Sequence, residues 1–193
     1  EIGAHVITVL EGGVTTVPGF LAAGVRAGIK HHGLDLMLTL SEDGPVAAAC
    51  AFTTNLVKGA PLIVTAENLK NGKLSSVVAN SGSANSYTGE RGIKDTRQMT
   101  RLVARLLKIR ADDVAVASSG LIGSHLPMRK VEAGIRAAVR ELSNSREASL
   151  NAAKAIMTTD TTPKEIAVRV DLEDGTPVII AGIAKGAGMI RPN

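Results

Sequence analysis

Two short stretches carry residue types that could act on a carbonyl compound. Ser118-Ser119-Gly120 follows the apolar run Val114–Ala117. A strand that ends in such a turn can aim backbone N–H groups outward, and Ser119 adds a hydroxyl. Donors fixed where negative charge develops on a carbonyl oxygen make an oxyanion hole. The same residues also suit an ordinary strand-to-helix turn, and no G-x-S-x-G elbow occurs in the chain to mark a nucleophilic Ser. Lys185 stands between Ala184 and Gly186, with Gly188 close behind. Glycine lets a backbone approach an anion and lysine supplies charge, so this loop reads either as an anion binder or as a surface Lys on a turn. It is not a Walker A loop, because G-x-x-x-x-G-K-[ST] is absent. It is not the dinucleotide fingerprint, because Arg191 stands where a third Gly would be needed. Thr158, Thr159 and Asp160 offer hydroxyls and a carboxylate for a polar substrate, or for their own backbone.

Other chemistries lack their residues. His5, His31, His32 and His125 show no metal-ligand spacing, and the single Cys cannot form an internal disulfide or a Cys-rich zinc site. Neither a metal nor a cofactor is expected. Cys50 lies in the apolar run Val46–Phe52 and reads as a small buried hydrophobe. The chain thus offers oxyanion donors and anion binders without an evident nucleophile.

The elements that must position these residues can be read from periodicity. Val46–Phe52 and Pro61–Ala66 are continuous apolar runs and read as strands buried on both faces. Ser75–Ala79 reads as a short strand running into the turn-forming cluster 80–85. Residues 12–30, rich in Gly and Ala, read as a loop with close-packed turns. Met99, Leu102, Val103, Leu106 and Leu107 form one apolar stripe, so a helix is expected over about 96–109, with Asp95 and Gln98 resembling a capping box. Arg97, Arg101, Arg105 and Lys108 line its other face, which reads as solvated. A second helix starts at Pro127 and a third covers about 146–157. Alternation at Ile166, Val168 and Val170, the Asp174-Gly175 turn signal and the run Val178–Ala184 predict a hairpin that ends in a buried strand.

The chain has 193 residues and a net charge of +4, with 45% apolar and 21% charged residues, a composition that excludes a disordered tail or a collagen-like repeat. No apolar run approaches the ~18 residues of a membrane-spanning helix. Phe20, Phe52 and Tyr87 are the only aromatic residues, too few for the stacking platform that grips single-stranded nucleic acid. Strands and helices are mixed without a strict βαβ rhythm, which gives an α/β or α+β fold with layered sheets. No repeat or linker divides residues 1–193, so they read as one domain. The sequence opens on Glu1 rather than Met and stops just past the glycine-rich loop. We therefore expect a fold that continues on another polypeptide, or a chain cut from a longer precursor.

Six segments, taken in order, resemble the α chain of the ornithine acetyltransferase (glutamate N-acetyltransferase) family of arginine biosynthesis. They are Pro18-Gly19-Phe20 through Lys30, Phe52-Thr53-Thr54-Asn55 through Pro61, Asn80-Ser81-Gly82 through Gly89, and Ser118-Ser119-Gly120-Leu121-Ile122-Gly123 through Met128. Met157-Thr158-Thr159-Asp160 with Pro163-Lys164 and Lys185-Gly186-Ala187-Gly188-Met189-Ile190 complete the series. The resemblance implies a self-cleaved precursor whose β chain begins with a nucleophilic Thr. It implies transfer of acetyl from N-acetyl-L-ornithine to L-glutamate, with Ser119 and Gly120 as the oxyanion hole and Thr158 and Lys185 as substrate contacts. Ser119 departs from the family's Thr but keeps the hydroxyl. The implied fold is a layered αββα-type sandwich of the N-terminal-nucleophile-like type, completed by the β chain in an α2β2 heterotetramer. The setting is cytoplasmic, with amino-acid substrates and with neither nucleic acid nor membrane as a partner. An N-terminal-nucleophile amidase or aminopeptidase on a similar fold is the competing enzyme reading. A basic nucleic-acid module using the Arg97–Lys108 stripe is the competing non-enzyme reading.

Overall fold

The computed structural model describes residues 6–186. Along the chain run β1 (Val6–Leu10), β2 (Phe20–Val25), β3 (Leu36–Ser41), β4 (Val46–Ala47), α1 (Ala60–Asn68), β5 (Lys73–Leu74), β6 (Ser76–Ser83) and α2 (Gly89–Leu107). There follow β7 (Val114–Leu121), α3 (Met128–Glu141), α4 (Arg146–Ile156), β8 (Lys164–Asp171) and β9 (Pro177–Ala184). Ala187, Gly188, Met189 and Ile190 of the last resembling segment, with Arg191 and His5, lie outside the described residues.

The central sheet has the order β2-β3-β6-β7. Its first two pairings are antiparallel, and β6 with β7 is parallel. A parallel pair needs a crossover, and α2 lies in that connection. Both sheet faces are apolar because alternate residues serve different layers. Leu36, Leu38, Val78, Val114 and Val116 pack with Met99, Val103, Val131 and Ile135 of α2 and α3. Ala22, Met37 and Ala79 face Ala148, Ala152 and Ala155 of α4. Small residues on both sides bring α4 close to β2: a Cβ on Gly24 would lie 2.0 Å from the Asn151 carbonyl oxygen. Beyond α4 lies a three-stranded antiparallel sheet of order β1-β8-β9, whose Ala167 is fully buried. The chain is mixed α/β, as its composition and patterning suggest.

Several local expectations are corrected. Pro61–Ala66 lies in helix α1, not in a strand. Pro61 sits in the first turn, where a missing N–H costs nothing, and Ala60, Pro61, Val64 and Thr65 form the buried face. Thr65 Oγ1 donates to the Val116 carbonyl and accepts from the Val116 N–H, both at 2.9 Å, so α1 closes the outer edge of β7. Of Val46–Phe52 only Val46–Ala47 is strand, paired with the equally short β5; Ala48 is half-buried and residues 49–52 are exposed, Cys50 among them. Residues 12–30 contain β2, an inner part of the fold. The cluster 80–85 is partly strand, since β6 runs to Ser83.

Helix α2 begins at Gly89 and not near 96, so Asp95 is inside it and caps nothing. Its Oδ2 is buried with no hydrogen-bond partner among the described residues, 3.8 Å from Arg91 Nε. Burial pushes this carboxyl above its ordinary value, and Arg91 partly offsets the effect. Thr88 and Asn85 build the actual entry: Thr88 Oγ1 donates to Asn85 Oδ1, while Asn85 Nδ2 donates to Gly92 O and Thr96 Oγ1. The β8–β9 hairpin forms as expected. However, β9 is half-buried to exposed rather than buried, because none of the described residues covers the outer face of its sheet.

Candidate active site

The Ser118-Ser119-Gly120 stretch is the last part of β7 itself, not a turn after it. β6 and β7 continue side by side to a bulge at Gly82/Ser83. Gly120 faces Gly82 there with φ +138°, and a Cβ would stand 2.4 Å from the Gly82 carbonyl carbon. Only glycine satisfies both the torsion and the contact. Asn80, nearly fully buried, holds the bulge: its Oδ1 accepts from Ser118 Oγ at 2.6 Å and its Nδ2 donates to Ser83 O at 2.9 Å. Side chains alternate along a strand. With Ser118 turned to Asn80, Ser119 points the other way.

On that side three distant segments converge. Lys185, immediately after β9, donates from Nζ to Ser119 Oγ at 2.6 Å and to Thr158 Oγ1 at 3.1 Å. Thr158 lies just beyond the C-terminus of α4. The structure therefore brings Ser119, Thr158 and Lys185 together, with Gly120 as the strand neighbour of Ser119. Sequence reasoning singled out Asp160 but gave it no settled role. Its side chain is only 1% exposed. Its Oδ2 accepts from Thr158 N at 3.2 Å, and its Oδ1 accepts from Gly186 N at 2.8 Å and from Lys164 Nζ at 2.6 Å. The Lys164 hydrogen bond holds this carboxyl well below the usual carboxylate range; burial opposes the shift, and the two backbone N–H groups assist it.

Lys30 and Asp35 were missed. Lys30 Nζ donates to Met157 O at 2.8 Å, tying the β2–β3 loop to the end of α4. Burial lowers its ammonium pKa, against the pull of Asp35 and Asp160. Asp35, fully buried, accepts from the backbone N–H groups of Ala27, Ile29 and Lys30 at 2.5, 2.6 and 2.9 Å and so shapes that loop. The Asp160–Lys164 spacing of four was a visible sign of a local ion pair. Nothing local could have linked Lys30 to Met157, which is 127 residues away.

Among the described residues Lys185 forms no ion pair, so its ammonium faces two hydroxyls with its charge uncompensated. Such a group can receive a carboxylate. Ser119 Oγ accepts from that ammonium, which leaves its own O–H to donate elsewhere and polarises it as a donor. No group of three or more His, Cys, Asp or Glu that could hold a metal occurs among the described residues. An apolar cavity of about 660 Å³ lies to one side, bounded by Phe20, Thr39, Cys50, Phe52, Ala117 and Ser118. It reaches the strand that carries the site but not the Lys185 cluster.

Residues 21–193 match the ArgJ family. An arginine biosynthesis bifunctional protein ArgJ of Symbiobacterium thermophilum is 51% identical over 187 residues, which cover 95% of this chain and 46% of that protein. A glutamate N-acetyltransferase of Methanothermobacter thermautotrophicus is 45% identical over 95% of this chain and 44% of its own length. The chain thus spans less than half the length of these relatives. A crystal structure of the Bacillus halodurans bifunctional protein superposes with a TM-score of 0.92 at 38% identity, covering 98% of both chains. The Mycobacterium tuberculosis ornithine acetyltransferase, solved with ornithine, gives 0.86 at 43% identity over 97% of this chain and 99% of that one. The resemblance carried by the six ordered segments thus holds over nearly the whole sequence, and the chain belongs to the ArgJ family.

Proposed function

We propose that this chain is the α part of an acyltransferase that moves an acetyl group from N-acetyl-L-ornithine to L-glutamate in arginine biosynthesis. The observation that carries the reading is the Lys185 ammonium poised between the hydroxyls of Ser119 and Thr158. Such a triad can hold the carboxylate of an amino-acid substrate beside an oxyanion site. The nucleophile is an N-terminal Thr on a second polypeptide, the β chain of the same precursor. Two observations support a second polypeptide. The chain covers 98–99% of the solved family chains but only 44–46% of the curated relatives, as it would if family members work as two pieces. The outer face of the β1-β8-β9 sheet also leaves Ile7, Val9, Ile166 and Ile180 more than half exposed, an apolar patch of the sort that partners cover. An α2β2 assembly in the cytoplasm completes the proposal.

In the reaction, the Thr hydroxyl oxygen bonds to the acetyl carbonyl carbon, and its proton passes to the N-terminal amine or a neighbouring base. The carbonyl oxygen becomes an oxyanion that accepts hydrogen bonds from the Ser119 hydroxyl and the Gly120 N–H. The C–N bond then breaks, the proton moves to the leaving nitrogen, and ornithine departs from an acetyl-Thr ester. The glutamate amine attacks that ester by the reverse sequence, releasing N-acetylglutamate and the Thr hydroxyl. Lys185 and Thr158 hold the substrate carboxylate through both halves.

The full-length polypeptide, supplied with N-acetylornithine and glutamate, should release ornithine and form N-acetylglutamate in equal amounts. Ornithine release that proceeds without glutamate and yields free acetate would instead identify an amidase. Absence of release in both conditions would refute acyl transfer.

A further inference from the structure

Lys185 can receive a substrate carboxylate only if no protein carboxylate claims it first, yet Asp160 sits one residue from its backbone attachment. We propose that Asp160 is the positioning residue of this site: it pins the Thr158 and Lys185–Gly186 segments together, while Lys164 occupies it so that the Lys185 ammonium stays free for substrate. The inference rests on the amino-acid acyl transfer proposed above and assigns Asp160 no contact with substrate.

The geometry carries the argument. A nearly sealed carboxylate must have its lone pairs satisfied. Three donors satisfy Asp160, and each has a different source: the Thr158 N–H, the Gly186 N–H and the Lys164 ammonium. The first two fix the backbones that carry the two substrate-facing side chains. The third is four residues further along the chain, at the start of β8, only 40% exposed, and brings the positive charge that balances the carboxylate. Lys185 is thereby spared that duty, and its Nζ points at Ser119 and Thr158. Three lysines, Lys30, Lys164 and Lys185, thus surround one locus with separate partners: a backbone carbonyl, a carboxylate and two hydroxyls.

This division of labour predicts a coupling that a merely structural turn would not show. In the full-length protein, Asp160→Asn should raise the KM for the amino-acid substrate about tenfold, the scale of one lost charge-assisted hydrogen bond. Its kcat should stay within about threefold. Lys164→Met should raise KM similarly, because the unpaired Asp160 carboxylate then draws in Lys185. The double variant should be no worse than Asp160→Asn alone, since Lys164 acts only through the charge of Asp160. Single variants that leave KM unchanged, or a double variant whose KM rises by the product of the two, would overturn the proposal. A loss confined to thermal stability would do the same. Hydrogen exchange at the Gly186 amide separates this test from that of the function. If the parent protein transfers no acetyl group, the function proposed above fails, and the clamp is judged on exchange alone. Protection at Gly186 should be lost in Asp160→Ala, which keeps no acceptor oxygen, and retained protection there would refute the clamp.

Discussion

Ser119 has two neighbours with different consequences. Its oxygen accepts from Lys185, and in the proposed reaction its proton serves the oxyanion. Ser119→Ala should therefore lower kcat about 10²-fold, the usual scale for one lost oxyanion-hole donor. Ser119→Thr, which keeps the hydroxyl, should retain most of the rate. Steady-state kinetics of both variants decide the matter, and equal turnover in Ser119→Ala would show an idle hydroxyl. Ser119, Thr158 and Lys185 were singled out in the sequence, each with an ordinary turn as its alternative, and only the structure shows that the three meet. Asp160 was visible as a residue but not as a hub. A carboxylate two residues beyond Thr158 suits a self-contained turn equally well, and only the arrival of Gly186 N reveals the other half of its bonding. Cys50 was misjudged for a related reason. Its apolar neighbours suggested burial, but burial needs something on the far side, and the described residues supply nothing there.

The elements that the sequence revealed best were those with long periodic stripes. Helices α2, α3 and α4 and the β8–β9 hairpin were all expected, with α2 starting seven residues early in the structure because Thr88 and Asn85, rather than Asp95, organise its entry. Short apolar runs were ambiguous, and α1 shows why. Residues 61–66 contain Leu, Ile, Val and Thr, which favour strands, but Gly59 and Pro61 begin a helix whose Thr65 then bonds the edge of β7. β2 was hidden because its interior is Ala22-Ala23-Gly24: Ala22 and Gly24 let α4 approach on one face, while Ala23 packs in the core on the other. That approach is testable. Gly24 has an unstrained backbone, so Gly24→Ala fails on space alone: the new methyl would lie 2.0 Å from Asn151 O and 2.6 Å from Ala152 N. Backbone atoms cannot swing aside as a side chain can, so the variant should lose about 3 kcal/mol of stability, at the upper end for an overpacked core. Denaturant unfolding of the full-length protein measures this. A loss below about 0.5 kcal/mol, the range of neutral surface changes, would mean that α4 can shift freely over β2.

At the scale of the whole molecule, the site exists only because the chain ends of β7, α4 and β9 meet, and Asp160 is where the last two are joined. The junction couples folding to pH. The Asp160 carboxyl is held below its unfolded value, so the stability it contributes is fully present above about pH 4, the ordinary Asp range. That stability is lost as pH falls through the lower folded value, where the folded protein must also take up the proton. Asp95 works in the opposite sense. Burial raises its carboxyl, so protonation relieves a cost that exists at neutral pH. Acid sensitivity of the intact molecule is thus a difference between opposing groups and cannot be assigned from one curve. Comparing the parent with Asp160→Asn isolates one of them, because Asp95 is common to both. The thermal midpoint of the parent should fall more steeply than that of the variant below about pH 4, as the pH passes from the unfolded value toward the lower folded one. The two should differ most at neutral pH, where the parent has its full advantage. Parallel curves across that window would show that Asp160 gains nothing from its charge on folding, and the join between α4 and β9 would then owe its strength to the backbone geometry of the 157–164 loop.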